Sequence, residues 1–221
     1  MNKRKSTGVR VSVITFMVIL SAAVSAGARV FPAPSWSGQD GTTFQQWSFL
    51  DGSANPSPDV FPAASNPFGT PQLSVYNSVW SNNLDGHQGV WTFSGFGSGV
   101  LLDIPNNPVS QPVKEILVEL TWEAAGLSNF IPDQPIIGVW ANNFTEQFMG
   151  VQQLDNNWKA SLYKITISPS PSAEQITING DIRLDQIVVD TRCIPEPATM
   201  ALFGVASALY AVKRGKKRQA G

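Results

Sequence analysis

Seven tryptophans punctuate the chain, at Trp36, Trp47, Trp80, Trp91, Trp122, Trp140 and Trp158, and three of them stand beside amide-rich runs. Trp80 is followed by Asn82-Asn83, Trp140 by Asn142-Asn143, and Trp158 is preceded by Asp155-Asn156-Asn157. Those residue types suit a sugar: a pyranose ring has an apolar face that packs on an indole, and its hydroxyls bond to amides and carboxylates. The candidate glycan contacts are therefore Trp80, Asn82, Trp140, Asn142, Asn157 and Trp158, all at strand ends beside loops. Trp47, Trp91 and Trp122 fit a core position by alternation.

Hydrolytic chemistry finds less to work with. His87 is the single histidine, set in Asp85-Gly86-His87-Gln88-Gly89, which reads as a solvated turn leading into a strand. The run Gly95-Phe96-Gly97-Ser98-Gly99 lacks the Gly-x-Ser-x-Gly order of a nucleophile elbow. Glycosidase carboxylates stand ~5–10 Å apart. Glu115, Glu119 and Glu123 repeat every fourth residue of a strand, so neighbours are ~13 Å apart at ~3.3 Å per residue. They read as a wet, acidic sheet face, and no catalytic residue is assigned. An acid pair built across strands stays open as the enzymatic alternative.

One histidine and one cysteine exclude an ordinary structural zinc site. Calcium takes about six to eight oxygens. Asp51, Asn55 and Asp59, or Asn82, Asn83 and Asp85 before Gly86, supply some of them, and neither group has the ~12-residue EF-hand spacing. No cofactor is expected, and a structural calcium is permitted rather than required. Cys193 has no disulfide partner in the chain and reads as a residue closing the last strand.

The elements that must position these residues are short runs of Val, Ile, Thr, Trp and Phe between clusters of Gly, Pro, Asn, Asp and Ser, with no sustained helical period. Strands are expected over Thr42 to Leu50, Leu73 to Trp80, Gly89 to Ser94, Val100 to Ile104 and Val113 to Glu123. Further ones are expected over Ile136 to Ala141, Glu146 to Gln152, Lys159 to Ser168, Gln175 to Asn179 and Ile182 to Thr191. In the fifth, Ile116, Val118, Leu120 and Trp122 alternate with Glu115, Glu119 and Glu123, which predicts one buried and one wet face. The last run is apolar enough to lie mid-sheet. Asp51 to Pro71 carries five prolines and reads as a long loop. The fold class is all-β, a two-sheet antiparallel β-sandwich. Ile182 to Asp190 resembles the final strand of galactose-binding-like jelly rolls, which implies a jelly-roll-like arrangement and raises carbohydrate as a ligand.

Charge is distributed unevenly. The whole chain carries a net −1, but residues 27–193 hold 6 basic and 15 acidic residues, a net of −9. Nucleic acid is therefore not a partner, since phosphate binding needs a basic surface. The other basic residues sit at the two ends. Lys3, Arg4, Lys5 and Arg10 precede the apolar stretch Val11 to Val24, and small residues follow at a signal-peptidase spacing, with cleavage after Ala26 or Ala28. At the other end, Pro195-Glu196-Pro197 is followed by the apolar run Ala198 to Val212 and then by Lys213-Arg214-Gly215-Lys216-Lys217-Arg218. That run is ~22 Å long as a helix, a marginal span of a ~30 Å hydrocarbon core. Basic flanks stay cytoplasmic, so residues between the two spans are expected across the membrane.

Pro195, Glu196 and Pro197, the apolar run and the basic tail resemble the PEP-CTERM sorting signal of Gram-negative bacteria. The resemblance implies recognition and cleavage near the motif by an exosortase, after signal peptidase has acted. It also implies a transient stay in the inner membrane and release to the cell surface or extracellular matrix. The expected organisation is a signal-peptide helix (1–28), a β-sandwich domain (29–193) and a sorting signal with a transmembrane helix (194–221). The expected function is non-enzymatic, structural or exopolysaccharide-binding.

Overall fold

The computed structural model describes residues 29–59, 65–95, 97–109 and 111–195. The two expected terminal helices, the cleavage residues Ala26 and Ala28, and Glu196 and Pro197 of the motif lie outside the described residues. Within them run β1 (Thr42–Trp47), β2 (Gln72–Tyr76), β3 (Ser78–Leu84), β4 (His87–Phe93), β5 (Gly99–Pro105) and β6 (Val113–Ala124). They are followed by β7 (Ile136–Val139), β8 (Phe144–Gln153), β9 (Lys159–Ile167), β10 (Ala173–Asn179) and β11 (Ile182–Ile194). No helix occurs among the described residues. The expected all-β class with two antiparallel sheets is what forms. A seven-stranded sheet has the order β3-β4-β11-β6-β9-β8 with β1 also paired to β11, and a four-stranded sheet has the order β2-β5-β10-β7.

The two sheets bury one apolar cluster between them. Ile116, Val118, Leu120 and Trp122 of β6 and Ile187 and Val189 of β11 belong to it from the large sheet. Leu102 and Ile104 of β5 and Ile176 and Ile178 of β10 belong to it from the small one. These are the inward halves of period-two alternations, so the sheet-on-sheet arrangement follows from strand geometry. β11 lies mid-sheet, as its apolar sequence requires. β6 runs along one flank for its whole length. The other flank is divided, with β4 against Arg183 and Leu184 and β1 against Ile187 to Arg192. The register shifts between Leu184 and Gln186, leaving Asp185 as the extra residue of a bulge where one partner gives way to the next.

Two expectations change. Leu73 to Trp80 is two strands rather than one, because Asn77 turns the chain at φ 49°. Asn tolerates that left-handed conformation better than most residues. There the chain leaves the small sheet as β2 and enters the large one as β3, with Asn77 Nδ2 donating to Gly97 O at 2.9 Å.

The second change concerns the glutamate face of β6, which is not wet. Glu115, Glu119 and Glu123 are 6%, 1% and 3% exposed. The N-terminal segment crosses this face. Val30 N and Phe31 N donate to Glu119 at 2.5 and 3.3 Å, and Arg29 pairs with both Glu119 and Asp190. Glu115 binds Lys164 at 2.6 Å and Arg192 at 3.1 Å, and Glu123 binds Arg183 at 2.6 Å. Alternation reports which face a side chain joins, and a distant segment decided whether water reaches it.

Candidate ligand cleft

All seven tryptophans are among the described residues. Trp47, Trp91 and Trp122 are buried, as alternation requires. Trp158 is fully buried and stacks on His87 with ring centroids 3.9 Å apart, so no sugar can pack on it and the Trp158–Asn157 pair drops out as a glycan contact. Trp80 is half-buried against the core. Its indole N–H donates to Phe49 O at 3.1 Å, and a Cβ placed on Gly52 would stand 3.0 Å from the ring. Asn82 beside it is exposed. Trp140 is 73% exposed. The three sets do not converge. Trp158 precedes β9 and Trp140 faces its far end, ~26 Å away at ~3.3 Å per residue.

Around Trp140 is a cleft of about 750 Å³. Trp140, Ala141, Asn142 and Asn143 line it from the β7–β8 loop, Ser168 to Pro171 line it from the β9–β10 loop, and Val139 and Ile167 floor it. Backbone bonds hold the frame. Trp140 N donates to Gln175 O at 3.0 Å, Ser168 N to Asn143 O at 3.0 Å, and Ser170 N to Gln111 O at 2.9 Å. Asn142 and Asn143 are exposed, and no charged side chain lines the cleft.

The overhang of the large sheet makes a second recess, about 660 Å³, which sequence reasoning missed. Phe148 and Tyr163 meet there with centroids 5.5 Å apart, beside Glu146, Gln153 and Trp122. Burial raises the Glu146 carboxyl above its ordinary value.

His87 is not a solvated turn residue. It opens β4, half-buried, with Nδ1 2.9 Å from Asp185 Oδ2 and Nε2 3.4 Å from Asp155 Oδ1. Burial acts to lower its pKa, and the hydrogen bonds and charges of Asp185 and Asp155 outweigh that and raise it. No hydroxyl nucleophile lies within hydrogen-bond reach of it among the described contacts.

At the opposite end of the molecule, Lys114 Nζ lies 2.9 Å from Glu174 Oε1 and 2.5 Å from Asn106 Oδ1, all three residues buried. Burial pushes the Glu174 carboxyl up against the pull of Lys114. Cys193 is a free thiol at the edge of this cluster, 3.6 Å from Asn106 Oδ1 and 3.9 Å from Ser170 Oγ.

Of the two candidate calcium sets, Asp51, Asn55 and Asp59 line one small pocket and each also accepts a hydrogen bond from a neighbour. Asp59 accepts from Ser48 N, Ser48 Oγ and Gln46 Nε2, Asn55 Oδ1 accepts from Ser74 Oγ, and Asp51 accepts from Ser53 N. No group of three or more His, Cys, Asp or Glu suited to a metal occurs among the described residues.

Ser170 therefore touches both the Trp140 cleft and the last strand, which ends at Ile194 paired with Val113. From that residue onward, a protein-family profile described as the PEP-CTERM protein-sorting motif matches residues 194–217. The chain carries a PEP-CTERM sorting motif. The motif supports an exported protein processed by an exosortase, with a C-terminal membrane-anchor sorting signal. No curated protein and no solved structure matches the chain. The motif match begins at Ile194, the last residue of β11.

Proposed function

We propose that the exported domain is a non-enzymatic surface or matrix protein that binds a neutral stretch of the producing cell's exopolysaccharide in the Trp140 cleft. The carrying observation is Trp140 itself. An indole buries 150–250 Å² when it packs, worth several kcal/mol at ~25 cal/mol/Å². Leaving it 73% exposed over an amide-rimmed cleft marks a contact surface. The uncharged lining and the net −9 of residues 27–193 favour a neutral glycan over an anionic one. The sandwich architecture, read as jelly-roll-like, suits such a role. The runner-up, a polysaccharide-acting enzyme with an acid pair built across strands, has less support because the cross-strand neighbours Glu119 and Asp190 are both bound to Arg29.

The test takes the chain from Arg29 to Pro195 and measures retention by the host's purified exopolysaccharide, with calcium and with chelator, while assaying new reducing ends. We expect retention without cleavage, independent of calcium. Trp140→Ala should weaken retention at least about tenfold, ~1.4 kcal/mol, and leave the melting temperature unchanged. No retention would sink the glycan reading, and new reducing ends would favour the enzyme.

A further inference from the structure

The loops joining β5 to β11 and the β3–β4 loop differ in charge according to the end of the sandwich at which they lie. At one end the β3–β4, β6–β7, β8–β9 and β10–β11 loops each carry an aspartate, namely Asp85, Asp133, Asp155 and Asp181. At the other end the β5–β6 loop (106–112), the β7–β8 loop (140–143) and the β9–β10 loop (168–172) contain no charged residue, and the turn that enters β1 beside Arg192 adds one exposed carboxylate, Asp40. This end displays Trp140 at 73%, Val109 at 62% and, at the start of β8, Phe144 at 41% exposure. It is also where β11 ends. Ile194 pairs with Val113, the residue that follows the β5–β6 loop, and Cys193 touches Ser170 of the β9–β10 loop.

The length of chain between fold and anchor decides what lies opposite this surface. Ile194 is still paired in the sheet, and the apolar run begins at Ala198. Four residue steps span at most ~14 Å. The polar headgroup layer takes up ~5–7 Å of that on each side of a bilayer. The end where β11 leaves the sheet is thus tethered within about 7–9 Å of the headgroup layer. The end bearing Asp85, Asp133, Asp155 and Asp181 is the more acidic of the two, whereas this one, with Asp40 its exposed loop carboxylate, offers an indole and apolar side chains, the residue types that settle at a membrane interface.

We infer that, while the sorting signal is uncleaved, the Trp140 end of the domain rests on the lipid surface, with Trp140 at headgroup level. The contact belongs to the anchored precursor and stands on the exit geometry of β11, independently of the glycan reading. Where both hold, the anchor covers the cleft and release uncovers it.

The test uses the full chain in phosphatidylcholine vesicles whose acyl chains are brominated near the headgroup. All seven tryptophans lie between residues 36 and 158, so neither terminal span contributes fluorescence. We expect brominated lipid to quench the wild type, and Trp140→Phe to reduce the quenched fraction at least twofold. Val109→Trp placed in the Trp140→Phe background should restore it, while Phe130→Trp, at the aspartate end and 84% exposed as Phe, should not. Absence of quenching in the wild type overturns the inference, as does equal quenching in wild type and Trp140→Phe or quenching through position 130. Glycan retention is not measured in this assay, so its failure leaves the binding reading standing on its own test.

Discussion

Lys114 and Glu174 are both fully inside the protein, so their contact at 2.9 Å replaces two hydration shells. Removing one member of such a pair strands the other. Lys114→Met should cost ~3–5 kcal/mol in urea unfolding, and Lys114→Met combined with Glu174→Leu should recover most of that. A double variant no more stable than the single one would show that the cost lies elsewhere. This pair is legible in the sequence: Lys114 falls in the same alternation phase as Ile116 and Val118, and Glu174 in phase with Ile176. An ionisable residue on an inward phase implies a partner. His87 was not legible, because Asp185 reaches it only through a bulge and Asp155 through a distant loop. Its folded pKa is raised above the ordinary ~6.5. The folded state therefore holds the proton more tightly than the unfolded chain does. That contribution is complete below ~6.5 and is lost as pH rises through the raised folded value. We expect thermal stability to fall across that window, and His87→Gln to flatten the dependence. An unchanged pH profile in His87→Gln would remove the histidine as the cause.

Among the elements, the start of β4 depends on a glycine. Gly89 sits at φ 76°, and a Cβ there would lie 2.1 Å from Phe49 O, the same carbonyl that accepts the Trp80 indole. Gly89→Ala should therefore cost at least ~2 kcal/mol through backbone strain and displacement of the Phe49 segment. A loss under ~0.5 kcal/mol, read from denaturant midpoints, would mean that the segment yields freely. The existence and phase of the strands were readable because side-chain alternation is a local property. What covered them was not. The strap from Arg29 to Phe31 over Glu119, and the overhang that leaves Phe148 and Val151 exposed on β8, are made by chain far away in sequence. The Trp140 cleft was half legible. The indole and its asparagines are adjacent in sequence, while Ser168 to Pro171 come from another hairpin.

For the whole molecule, the address at the C-terminus was the plainest text in the chain, since a sorting motif is read by an enzyme as linear sequence. Its relation to the fold could only be seen in space. β11 is the last part of the domain in sequence and the most central in the large sheet, touching β1, β4 and β6. A chain ending at Asp181 should lack the near-ultraviolet dichroism of packed tryptophans, and a native-like spectrum from it would contradict this. Export gives the same feature a meaning in time. A protein threaded through a membrane from its N-terminus delivers its central strand last, so β4 and β6 wait with open edges until Ile194 has crossed. The far compartment has to shield those edges for that interval. Arrival of the final strand and arrival of the sorting motif are then one event, and the clock that closes the sheet also presents the substrate for release.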